Sequence, residues 1–176
     1  MAPPRGARCK MRAEPALRSD PPSVFSTPAA RRFHVVLPGC PSAVRRTLMD
    51  ARGHCRRAGL SEEDGARIEL VLAEVMNNVV EHALRDCPDG VIELELSLRD
   101  DQAECRVSDD GAAMPQACRP QPGTCAPLGT PTDLPEGGFG WHLICQLSRD
   151  VAYERRSGWN RLTLAVQLNQ TTGSLT

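Results

Sequence analysis

Ile92-Glu93-Leu94-Glu95-Leu96-Ser97-Leu98 alternates apolar and polar residues without a break. Successive side chains of a strand point to opposite faces, so this stretch predicts a strand with one buried face and one wet face. Asp100-Asp101 turns the chain into Ala103, Cys105 and Val107, which predict the hairpin partner. Further on, Val151 to Tyr153 and then Leu162, Leu164, Val166 and Leu168 predict a final hairpin around Ser157-Gly158. Strands that follow one another in hairpins build an antiparallel sheet, and one apolar face per strand leaves one face to be covered by helices.

The helices lie where the period changes. Arg32 to Leu37 predicts a first strand, ended by Pro38-Gly39. Ser42 to Ala58 carries Val44, Leu48 and Ala51 at helical spacing, with Gly59 placed to end it. Ser61 is placed as the N-cap of a second helix, with Asp64 in the capping-box position, and this helix is expected to run to about Arg85. Leu143, Ile144 and Leu147 predict a third helix. The order β-α-α-β-β-loop-α-β-β predicts an α/β fold, an α+β two-layer sandwich: a mostly antiparallel mixed sheet with helices on one face.

Composition narrows the function. The 176 residues carry 21 Lys+Arg against 22 Asp+Glu, a net charge of −1 that argues against general nucleic-acid binding. No stretch approaches the ~20 apolar residues of a membrane helix. Lys10 is the only lysine, so the Gly-Lys-Ser/Thr step of a P-loop is absent. Eight cysteines include no Cys-x-x-Cys pair, which argues against a structural zinc site, and they read as reduced fillers of a cytoplasmic protein. Prolines crowd residues 1–30, read as a disordered basic tail, and residues 112–136, read as a lid-length loop inside the domain 31–170.

Three polar features stand out from this frame. Glu74, Asn78 and His82 recur at i, i+4 and i+8 and predict one polar stripe along the second helix. Val107-Ser108-Asp109-Asp110-Gly111 ends a strand in acidic residues and a glycine, immediately before the long loop. Glu136-Gly137-Gly138-Phe139-Gly140-Trp141 leads glycines into a helix, where backbone N–H groups attract phosphate. Each alone has a bland reading: a wet flank, an Asp-Gly turn, a hinge.

In this order, Glu-x-x-x-Asn on a helix, Asp-x-Gly at a strand end and Gly-x-Gly at a helix start resemble the N, G1 and G2 boxes of the GHKL (Bergerat-fold) ATPases. Ala73-Glu74-Val75-Met76-Asn77-Asn78-Val79-Val80-Glu81-His82-Ala83 is most similar to the anti-sigma-factor serine-protein kinases of that superfamily, and Gly158 to Leu164 resembles their closing hairpin. The resemblance implies ATP and Mg²⁺ as cofactors. It makes Glu74 the general base, Asn78 a magnesium ligand, and Asp109 the acceptor of the adenine amino group. Gly111 would leave room for the base, and Gly138 and Gly140 would lie against the phosphates. It further implies phosphorylation of a serine on a STAS-domain anti-anti-sigma factor, sequestration of a sigma factor, and a homodimer, with no direct nucleic-acid or membrane partner. Ala113 stands where the family has its second G1 glycine, and Trp141 where an aliphatic residue follows the last G2 glycine. These departures motivate an alternative, a non-catalytic nucleotide-binding partner-switching module.

Overall fold

The computed structural model describes residues 31–120 and 139–169. Residues 1–30, most of the long loop and Gly138 lie outside the described residues. Five strands and three α-helices follow in the expected order: β1 (Arg32–Pro38), α1 (Pro41–Arg57), α2 (Glu62–Asn78), β2 (Val91–Leu98), β3 (Gln102–Asp109), α3 (Phe139–Leu147), β4 (Arg149–Arg156) and β5 (Trp159–Gln167). The strands lie in the order β1-β2-β3-β5-β4, and every pairing is antiparallel. The mixed element expected of the sheet is therefore not found among the described strands.

Alternation in sequence becomes burial in the fold. Ile92, Leu94, Leu96 and Leu98 of β2 are buried, as are Ala103, Cys105 and Val107 of β3 and Leu162, Leu164 and Val166 of β5. They meet Val44, Ile68, Leu72, Val75 and Met76 of α1 and α2, all buried in the same core. The opposite face of the sheet is laced by polar contacts such as the His34–Glu93 hydrogen bond and the Arg106–Glu95 ion pair. Ser61 caps α2 as expected, its Oγ accepting from the Asp64 amide at 3.0 Å. Asp64, itself buried, also accepts from the Asn169 amide at 3.1 Å and so ties the chain leaving β5 to the start of α2.

Two further expectations are corrected. The second helix does not run unbroken to Arg85: its α-helical part ends at Asn78 and a π-helical turn, Val79–Ala83, follows. The Leu84 amide accordingly donates to the Val79 carbonyl, five residues back. A π turn widens the spacing that put His82 on the stripe, and His82 is exposed while Glu74 and Asn78 are half-buried. The cysteines are not all reduced either. Among the described residues Cys40, Cys55, Cys105 and Cys118 are free thiols, but Cys145 is disulfide-bonded.

Candidate active site

One row of inward-facing positions crosses the sheet through Leu37, Ile92, Asp109, Asn160 and Arg155. The first two are apolar and buried; the last three are polar. Tyr153 occupies the adjacent inward position on β4, beside Leu162. The helix-facing side of the sheet thus has a polar corner at the end where β3 runs into the long loop.

Asp109 is the centre of that corner. It is 4% exposed, and its Oδ1 accepts from the Asn160 side-chain amide at 2.7 Å and the Gly111 backbone N–H at 2.9 Å. Oδ2 has no hydrogen-bond partner among the described residues and is not sealed from solvent. Burial pushes this carboxyl above the ordinary aspartate range, while the Asn160 and Gly111 donors hold it down. The result is a carboxylate with one oxygen tied and one open acceptor.

The helix side reaches the same corner through its π turn. The Ala112 amide donates to the Ala83 carbonyl at 2.8 Å, and a Cβ at Gly111 would collide with that carbonyl. What Gly111 visibly permits is this close backbone crossing. Leu84, at the end of the turn, is buried among Gly39, Gly90 and Gly111, where any added Cβ would strike its methyl groups.

Glu74 and Asn78 lie one turn apart on the last part of α2, facing the first turn of α3. A Cβ added to Gly140 would run into the Glu74 carboxylate and lie 4.0 Å from Asn78 Nδ2. The structure therefore brings Glu74, Asn78 and Gly140 together, and joins Asp109 and Gly111 to the end of the same helix. Among the described residues no group of three His, Cys, Asp or Glu is arranged to hold a metal. The Asn78 amide oxygen does suit Mg²⁺, which keeps most of its ligands as water and substrate phosphate.

Sequence reasoning missed Asn160, Tyr153 and Arg155. The Asn160 side chain donates to Asp109 and to the Ala112 carbonyl at 2.8 Å, and accepts from Tyr153 Oη at 2.7 Å and from Arg155. The signal was phase: position 160 precedes Leu162, Leu164 and Val166 on the inward side of β5, where a polar residue needs a reason. Arg119 is committed at this end too. Its Nε donates to the Met114 carbonyl and its guanidinium lies 5.3 Å from the Tyr153 ring centre. Of the two departures from the resemblance, Ala113 is exposed and Trp141 packs half-buried against the core.

Residues 37–166 match the family model of the histidine kinase-like ATPase domain. The serine-protein kinase RsbW of Listeria innocua is 32% identical over 116 residues, 65% of this chain and 74% of that protein. The serine/threonine-protein kinase BtrW of Bordetella bronchiseptica is 30% identical over 127 residues, 70% of this chain and 87% of that protein. The crystal structure of the RsbU and RsbW domains of Rv1364c from Mycobacterium tuberculosis superposes with a TM-score of 0.52 at 19% identity. It covers 78% of this chain, which spans 32% of that longer chain, and so shares its fold. The chain belongs to the histidine kinase-like ATPase domain family, alongside serine-protein kinases of the RsbW kind.

Proposed function

We propose that this member of the family is an ATP-dependent protein serine kinase that works as an anti-sigma factor in the cytoplasm. It phosphorylates a serine of a STAS-domain anti-anti-sigma factor, and it sequesters a sigma factor until that antagonist displaces it. The observation that carries the catalytic part is the junction of α2 and α3, where Gly140 admits the Glu74 carboxylate beside Asn78. The partners and a homodimeric state rest on similarity to the RsbW-type kinases.

In this reading Asp109 Oδ2 would accept from the adenine amino group, and the α2–α3 junction at Asn78 and Gly140 would take the phosphates. Asn78 offers its amide oxygen to Mg²⁺. Held there, the ion would supply positive charge against the negative charge that develops during transfer. Glu74 takes the proton from the attacking serine hydroxyl as the oxygen bonds to the γ-phosphorus and ADP leaves. Gly140, beside Glu74 and Asn78, would lie against the phosphates. The observed place of Ala113 and Trp141 gives the non-catalytic alternative no further support.

Two measurements on the purified chain test this. Calorimetric titration with ATP and ADP, with and without Mg²⁺, is expected to show saturable, magnesium-dependent binding. Glu74→Gln is expected to retain that binding and to lose transfer to a STAS-domain serine by about 100-fold or more. Transfer by the variant at the wild-type rate removes Glu74 as base, and absence of binding by the wild type removes the pocket.

A further inference from the structure

We infer that Asn160 is a positioning residue that aims Asp109 at the purine, and that Tyr153 and Arg155 fix the direction in which it does so. The inference rests on the adenine-pocket reading of the site and deepens it.

The hydrogen-bond chain has only one consistent direction. The Met114 backbone N–H donates to Tyr153 Oη at 3.0 Å, so the single hydroxyl hydrogen of Tyr153 is free for Asn160 Oδ1, 2.7 Å away. Arg155 can only donate, and its Nη1 reaches both Asn160 Oδ1 and the Gly111 carbonyl, the latter at 3.0 Å. Asn160 Oδ1 therefore faces two donors. A flipped amide would turn N–H groups against them and an oxygen against the Ala112 carbonyl and the Asp109 carboxylate. With Oδ1 fixed, Nδ2 must point at Asp109 Oδ1 and at the Ala112 carbonyl.

This arrangement fills the amide on both sides at a residue only 4% exposed. A buried, fully bonded amide holds one geometry, and donors in series polarise one another. For Asp109 the consequence is that Oδ1 is held by two donors while Oδ2 has no donor among the described residues. A purine amino group needs that open oxygen as an acceptor, hence unprotonated. The same three side chains bond the backbone of Gly111, Ala112 and Met114, so Asp109 and the first residues beyond β3 share one frame.

Asn160→Asp tests the idea with almost no change of shape. It keeps an acceptor toward Tyr153 and Arg155 but sets a second carboxylate against Asp109 in place of a donor, and two carboxyl groups this close retain a proton between them. ATP affinity, measured by calorimetry across a pH series, is expected to fall about ten-fold or more near neutral pH. The pH at which binding is half lost is expected to move upward. Wild-type affinity in the variant, or a uniform loss with the pH profile unmoved, overturns the inference. If Asn160→Asp does not fold, Tyr153→Phe carries the same test: an upward move of the profile with a few-fold loss supports it, and an unmoved profile overturns it. A wild-type chain that takes up no ATP refutes the pocket reading instead. Carboxyl-carbon NMR of Asp109 then still reports whether Asn160 holds it ionised, and an identical titration in wild type and variant overturns the positioning role by itself.

Discussion

Gly140 stands directly against the carboxylate of Glu74, with no space for a Cβ between them and the Asn78 amide just beyond. A glycine inside a helix destabilises it by about 1 kcal/mol relative to alanine, and what this one gives in return is room for the Glu74 carboxylate. Because the obstacle is the far end of a flexible side chain, a methyl group at 140 is expected to push Glu74 aside rather than unfold the protein.

Gly140→Ala is accordingly expected to leave the melting temperature unchanged or slightly raised while phosphate transfer drops. A displacement of about 1 Å at a reacting group is enough for a loss of about 100-fold. A transfer assay with radiolabelled ATP, run beside a thermal melt, separates the two effects. Full transfer by the alanine variant removes Gly140 from the site.

Asp109→Asn is expected to weaken ATP binding by about 10- to 100-fold, because a charged acceptor is exchanged for an amide. Its effect on stability runs the other way. Burial raises the Asp109 carboxyl above its unfolded value, so the folded state resists ionisation. The resulting penalty is absent below the ordinary aspartate range and fully present above the raised folded value. At neutral pH the asparagine variant is therefore expected to melt no lower than wild type, and a marked drop in melting temperature contradicts the assignment. For the same reason ATP binding by the wild type is expected to weaken on acidification at a higher pH than an exposed aspartate would give.

Leu84→Ala empties the space that Gly39, Gly90 and Gly111 surround. The cavity is expected to lower stability by about 2–4 kcal/mol, which corresponds to about 5–15 °C in melting temperature. Chemical denaturation gives the value directly. A change below about 1 kcal/mol would show that the site collapses around the smaller residue.

His54 is buried on α1 with its ring centre 5.6 Å from that of Phe33, and its Nε2 has no partner among the described residues. Burial, aided by Arg57, lowers its pKa, while a backbone hydrogen bond to Arg31 opposes the shift. The neutral ring is the folded form. Its contribution to stability is intact above about pH 6.5 and is lost as pH falls from there through the lowered folded value. His54→Leu is expected to flatten that part of a melting-temperature profile. An identical slope in both proteins would place the acid sensitivity elsewhere.

Much of this was readable along the chain. Strand alternation around Ile92 to Leu98 and the Ser61 cap set the element order, and the motifs at Glu74, Asn78, Asp109 and Gly140 named residues of the candidate site. The break after Asn78 was not readable, since a π turn uses the same apolar residues as an α-helix and differs only in which carbonyl each amide finds. Tyr153, Arg155 and Asn160 were passed over because hairpin residues were judged by their apolar members, and the polar ones acquire meaning only from what lies across the sheet.

Periodicity and capping act between neighbours in sequence, so the sequence by itself determined the elements, their order and the polar positions available for chemistry. Only the tertiary structure decided that Asp109 has one oxygen tied and one open, that Gly140 meets Glu74, and that His82 leaves the stripe. Those depend on strand register and on a helix end crossing a loop, contacts between residues far apart along the chain whose geometry no local pattern encodes.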